Sequence, residues 1–199
     1  CAGFNPGETH TVHWVAVFES GIMDLSTWTV HMKKDDGTGE STETFVDTAN
    51  PNVNVIIMAG QSNMYGASPI IEGIRTNYGN TDYSNVYIHY ENINFDVNAD
   101  GTVASTLSTY FANDGFEQYH LGIGGQADSY FGPEAALANV LATTDALKDQ
   151  KWYIIKYAAA GTGLAAHWLN KCTLNGESVA LTDAMIEYVQ ADIDALEAQ

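Results

Sequence analysis

Four apolar residues, Val55-Ile56-Ile57-Met58, run without interruption into Ala59-Gly60 and then into Gln61-Ser62-Asn63-Met64-Tyr65-Gly66. Such a run is too short for a helix and carries no polar residue to mark a solvated face, so it reads as a strand buried on both sides. Strands of that kind belong to parallel sheets covered by helices, which predicts an α/β layer architecture. The chain after Pro51 has the matching grammar. Residues 86–90 and 152–157 read as two more strands. Between them Pro133 stands at a first helical position, with Leu137, Val140, Leu141, Thr144 and Leu147 following at helical spacing. Near the end Thr182 is placed to cap a second helix with inner face Ile186, Val189, Ile193 and Leu196. Residues 91–128 are rich in Asn, Asp, Gly and Thr. They are expected as a long loop over the carboxyl ends of the strands, where such folds place binding sites.

Before Pro51 the pattern differs. Val12, Trp14, Ala16 and Phe18 alternate with Val15 and Val17, a second short run covers 28–32, Asp35-Asp36-Gly37 supplies a turn, and 42–46 is strand-like again. Residues 1–50 are therefore expected as a small β-rich module, joined through Ala49-Asn50-Pro51-Asn52 to an α/β domain over 51–199.

Charge narrows the partners. The chain of 199 residues has 25 Asp and Glu against 7 Lys and Arg, a formal charge of −18. Binding to phosphate backbones requires clustered cations that release counterions, so nucleic acid is a poor partner. No apolar run approaches the ~20 residues that span a bilayer. The acidity fits an extracellular or surface-associated protein, secreted, lipid-anchored or part of a virion. Cys1 and Cys172 form no zinc or redox spacing. Cys1 reads as a lipidated first residue, a partner for Cys172, or the place where the chain begins.

The residues that carry chemistry lie in 54–66. A serine on a tight turn at the end of a buried strand has its hydroxyl held at the sheet's edge, as a nucleophile requires, and the helix start beside it offers N–H groups to a developing oxyanion. A serine at a helix start also serves as an N-cap. Gly60-Gln61-Ser62-Asn63-Met64 with Gly66 resembles the first block of the SGNH-type carbohydrate esterases, in the branch of sialate O-acetylesterases and acetylxylan esterases (carbohydrate esterase family six). Phe131-Gly132-Pro133-Glu134 resembles that family's G-P-E block, and Ile154-Ile155-Lys156-Tyr157 with Ala160-Gly161-Thr162 and Trp168 resembles its strand, G-G-T-S and Trp. The three blocks occur in the family's order.

The resemblance implies an SGNH-hydrolase-like (flavodoxin-like) three-layer fold with a mostly parallel sheet. It makes Ser62 the catalytic nucleophile, gives the oxyanion the N–H groups of Ser62 and Gly161, and makes Gln61, Asn63, Thr162 and His167 site-lining candidates. Ala160 replaces the family's first Gly and Gly163 its Ser. The W-x-Q-G-E block and the D-x-x-H that carries the Asp and the base His have no counterpart here. Asn175-Gly176-Glu177-Ser178 follows Gly161 too closely to serve and reads as a turn. The chain is therefore expected to be part of a longer protein.

The six histidines give no alternative of equal weight. His10 and His13 are three apart on a strand, so their rings point to opposite faces and make no metal site. His31 lies in the same module. His89 reads as a strand residue with a satisfied ring, while Glu117-x-x-His120 has the spacing of an acid–base pair. Gly122-x-Gly124-x-x-Ala127 follows no strand and opens no helix, which discards a dinucleotide fingerprint. No metal or organic cofactor is implied. The expectation is a serine esterase that removes O-acetyl groups from carbohydrate. The alternative is a non-catalytic structural or carbohydrate-binding module of a phage tail, virion or cell-surface assembly.

Overall fold

The structure, a computed structural model, describes residues 53–198 and, before them, the backbone of two strands, residues 9–17 and 23–31. The chain divides into two compact units, Cys1–Ile56 and Ile57–Gln199. In the first, β1 (Thr9–Val17) pairs antiparallel with β2 (Met23–His31), Val12 opposite Trp28 and His13 opposite Thr27. The expected strand 42–46, the turn at 35–37, the linker and Cys1 lie outside the described residues.

After β3 (Asn54–Gly60) come α1 (Ser62–Tyr65), β4 (Ser68–Pro69), α2 (Glu72–Tyr78), β5 (Val86–Val97) and β6 (Val103–Ala112). Then follow β7 (Glu117–Gln118), β8 (Tyr130–Phe131), α3 (Glu134–Thr143), β9 (Trp152–Ala159), β10 (Cys172–Leu174), β11 (Glu177–Val179) and α4 (Leu181–Glu197). One sheet has the order β11-β10-β6-β5-β9-β3, with β7 also paired to β5. β5 and β9 run parallel over 86–93 and 152–159, β10 is parallel to β6, and β6 is antiparallel to β5. β4 and β8 make a separate small ladder.

Side chains alternate across β9. Lys156 reaches Glu134 of α3, while the next residue, Tyr157, meets Tyr188 of α4 and Trp168. Helices therefore cover both faces, the mixed α/β layering expected from the strand–helix alternation. On the α3 side Leu137, Ala138 and Leu141 are buried; on the α4 side the core is Ile93, Leu107, Tyr157, Ala159, Trp168, Leu174 and Leu181. Each fully buried Leu or Ile contributes about 1.5–3 kcal/mol. No helix among the described residues is long and apolar enough to cross a membrane.

Four expectations are corrected. A flavodoxin-like order would seat β3 between β5 and β9; instead β9 lies between them and β3 is the last strand of the order. Accordingly Ile57, expected to be buried, is 45% exposed. Residues 91–128 are not one loop, because β5 continues to Val97 and returns as β6 through a turn with Gly101 at φ +83°. Asn92, Asn94, Thr106 and Ser108 hide the period-two pattern there by placing polar groups on a strand pair. Finally, α4 begins at Leu181 and turns Leu181, Met185, Tyr188, Asp192 and Leu196 inward, leaving Ile186 52% exposed. Thr182 does not cap it; its hydroxyl donates to the Trp168 carbonyl at 2.6 Å. The Asn175-Gly176 turn is as expected, with both residues at positive φ closing the β10–β11 hairpin.

Candidate active site

Ser62 is the first residue of α1, a single helical turn entered through Gln61 at φ −109° and ψ −141°. No side chain caps this helix, so the capping role open to Ser62 is not the one it fills. Its hydroxyl is exposed and donates to Gln61 Oε1 at 3.0 Å. Gln61 and Asn63 are exposed beside it. The turn is tight at both ends. A Cβ on Gly60 would come within 3.1 Å of Met64 Cβ, and Gly66 ends α1 at φ +81°. A Cβ on Gly66 would lie 2.9 Å from the Gly132 nitrogen, so any larger residue would force the two segments apart.

Behind α1 the polar groups are buried and interlocked. Asn92, fully buried on β5, donates from Nδ2 to the carbonyls of Tyr65 (3.2 Å), Gly124 (2.9 Å) and Gly125 (3.0 Å). Lys156 Nζ donates to Gly124 O at 2.5 Å and to Glu134 Oε2 at 2.8 Å, and Glu134 Oε1 accepts the Gly132 N–H at 2.6 Å. Lys156 and Glu134 are both fully buried. Burial pushes the Lys156 pKa down from its ordinary value, opposed by the charge of Glu134 and the hydrogen bond to it.

β9 is the neighbour of β3, so Ser62 and Gly161 both follow adjacent strands. Asn92 sits opposite Ala158 near the end of β9 and bonds Tyr65 of α1, which ties the Ser62 turn to that end of the sheet. Gly161 is exposed in the left-handed region at φ +72°, and a Cβ there would meet the Phe95 ring at 3.2 Å. Thr162 is buried, and its hydroxyl is committed to structure: it donates to Ala159 O at 2.7 Å and accepts from Trp168 Nε1 at 2.9 Å. This side chain therefore anchors the turn after β9. His167 lies in a π-helical turn, Leu164–Trp168, edge-on to Phe95. Its Nδ1 accepts the Gly163 N–H at 3.1 Å, which leaves the proton of the neutral ring on Nε2.

The other two described histidines are placed elsewhere. His89 meets Asp192 Oδ1 at 2.6 Å through Nδ1 and the Asn113 carbonyl at 3.0 Å through Nε2. Both partners are acceptors, so the ring that satisfies both is the doubly protonated imidazolium. Burial opposes that charge, but the hydrogen bond to Asp192 and its charge, with smaller help from the Asn113 carbonyl and Glu91, lift the His89 pKa above its ordinary value. The ring is satisfied, as its strand position suggested. Glu117 and His120 line one cavity of about 310 Å³ with Tyr90, Asn113, Asp114 and Asp128.

Asn92, Lys156, Glu134 and Asp192 were not singled out as site or core residues by sequence reasoning. A lysine inside the apolar strand 152–159 was the available signal, since a buried ammonium requires a buried carboxylate. Glu134 after Gly132-Pro133 was the acid to pair with it. The chain matches no protein-family profile, no curated protein and no solved structure.

Proposed function

We propose that this chain forms the nucleophile-bearing part of a serine esterase that removes O-acetyl groups from carbohydrate. The observation that carries the reading is Ser62: exposed, on a strand–turn–helix junction whose two glycines admit no side chain without displacement, and next in the sheet to the Gly161 turn. The resemblance of residues 54–66, 131–134 and 154–168 to the SGNH-type esterases supports the same reading. Ser62 Oγ attacks the acetyl carbonyl, its proton passes to a base, and the N–H groups of Ser62 and Gly161 bind the oxyanion. Loss of the sugar alkoxide, protonated by the same base, leaves acetyl-Ser62, and water then releases acetate. Each such oxyanion donor is worth about 3 kcal/mol in the transition state.

A serine hydroxyl requires a base within hydrogen-bond reach. His89 is held by Asp192 and Asn113, and His167 Nδ1 is occupied by Gly163. The base in this proposal is the histidine of a D-x-x-H block, which residues 53–198 do not hold. The protein is extracellular or surface-associated in the same proposal, with an acetylated sugar as its partner.

The test is acetate release from O-acetylated xylan oligosaccharides and O-acetyl sialosides by the natural protein and by its Ser62→Ala variant. Release that disappears in the variant, with an unchanged melting curve, is the expected result. Equal release by both would reject Ser62 as nucleophile, and no release by either would favour the structural or sugar-binding alternative.

A further inference from the structure

We infer that Asn92, Lys156 and Glu134 are positioning residues for Ser62, acting through the backbone of α1 and the segment that crosses behind it. Their role toward Ser62 rests on the esterase reading, whereas the tether of α1 to residues 124–132 stands on the hydrogen bonds themselves.

Three observations converge. The Nδ2 group of Asn92 has two hydrogens and three carbonyl acceptors, one of them the last residue of α1, so a single buried side chain holds α1 to residues 124–125. Three surrounding acceptors also fix which way the amide points, since the reversed amide would set oxygen against oxygen. Asn92 Oδ1 is buried without a partner, an arrangement with a stability cost that a purely structural apolar residue would avoid. Second, the Gly124 carbonyl is shared between Asn92 and Lys156, and Lys156 is in turn locked to Glu134, whose other oxygen holds the Gly132 N–H. Third, Gly132 is the residue against which Gly66 packs, and the Gln126 N–H donates to Gly66 O at 3.0 Å. Each end of the network therefore closes on the segment Tyr65-Gly66, four residues or fewer from the Ser62 hydroxyl.

Positional errors of about 1 Å at a reacting centre cost on the order of 100-fold in rate. Loss of the Asn92 donors releases the carbonyl of Tyr65 and lets α1 shift by distances of that order. Lys156 and Glu134 act one step further back, by fixing Gly124 and Gly132.

The experiment uses Asn92→Leu, which keeps the branched shape of the side chain and removes the donors. The double variant Lys156→Met/Glu134→Gln removes the ion pair without leaving a lone buried charge. Acetyl-ester kinetics are read beside amide hydrogen exchange at Tyr65, whose N–H closes α1 on Gln61 O, and at Gln126, whose N–H closes the crossing. The Trp152 amide, bonded to Asn85 O at the far end of β9, is the reference. Expected is a kcat lower by about 100-fold with KM unchanged, and exchange at Tyr65 and Gln126 faster by about tenfold or more while Trp152 is unaltered. A folded variant with wild-type kcat and wild-type exchange at both amides overturns the inference, as does faster exchange spread equally to Trp152. Should Asn92→Leu not fold, the double variant decides on the same readouts. Should the unmodified protein release no acetate, the esterase reading fails by itself and exchange at the two amides decides the tether.

Discussion

The two faces of the β5–β9 ladder each bury a cation paired to a carboxylate from a helix, and the pairs differ in kind. On the α3 face, Lys156 and Glu134 are both fully buried, and each carboxylate oxygen has its own donor. On the α4 face, His89 and Asp192 keep 16% and 8% of their side-chain surface, and Asp192 Oδ2 and the Tyr188 hydroxyl are buried without partners. Tyr188 also lies tilted against the His89 ring. One pair is closed, fully buried with both carboxylate oxygens bonded. The other is completed by a proton on His89, which Asp192 holds there above the ordinary histidine range. The closed pair stands behind the Ser62 turn, and the titratable one fastens α4.

The largest effects belong to the closed pair. Lys156→Met alone leaves a buried carboxylate unpaired, and Glu134→Gln alone leaves a buried ammonium. Each is expected to cost about 3–5 kcal/mol in equilibrium unfolding, and the double replacement much less than their sum. Additive costs would show that the two do not act as a pair.

On the α4 face the expected loss is smaller, about 1–3 kcal/mol for His89→Gln or Asp192→Asn, because the site is partly wet. It is also pH-dependent. A histidine whose folded pKa lies above its ordinary 6.5 contributes its stability below the unfolded value and loses it as pH rises through the folded value. The difference in unfolding free energy between wild type and His89→Gln should therefore shrink as pH rises above the ordinary histidine value of 6.5. Glu91 also faces this histidine and favours its charge, so Glu91→Gln should move the transition to lower pH. A difference that grows with pH would reverse the assignment of His89 as the cationic partner.

The contrast also shows what a sequence discloses. The strands β5 and β9 and the start of helix α3 were legible because apolar residues and a proline mark them directly, but α3 ends at Thr143, short of the expected Thr144 and Leu147. The inward face of α4 was not, since one position is an aspartate and another a tyrosine, residues that periodicity assigns to solvent; their partner His89 lies 103 residues away from Asp192. The β5–β6 hairpin was hidden in the same way by asparagines and threonines. Ser62 stood out because Gly60-Gln61-Ser62-Asn63-Met64 with Gly66 resembles the nucleophile block of a known esterase family. What holds Ser62 in place did not, because Asn92 and Lys156 act through contacts 27 to 33 residues distant.

Two further substitutions are expected to cost less. Trp168→Phe removes the indole donor to Thr162 and should cost about 1 kcal/mol, since Thr162 keeps its bond to Ala159 O. Ile186→Lys, on the outer side of α4, should change unfolding by less than about 0.5 kcal/mol. A larger loss there would mean that this side of the helix is covered.

Whether Ser62 is an activated nucleophile can be read by covalent labelling, without a substrate. Intact-mass spectra are recorded for the natural protein with and without a fluorophosphonate probe, which reacts only with activated serines, and the adduct is mapped by peptide sequencing. The expected result is a shift of one probe mass located on Ser62 and absent from Ser62→Ala. No shift under conditions that label a known serine esterase, or an adduct on another serine, would contradict it.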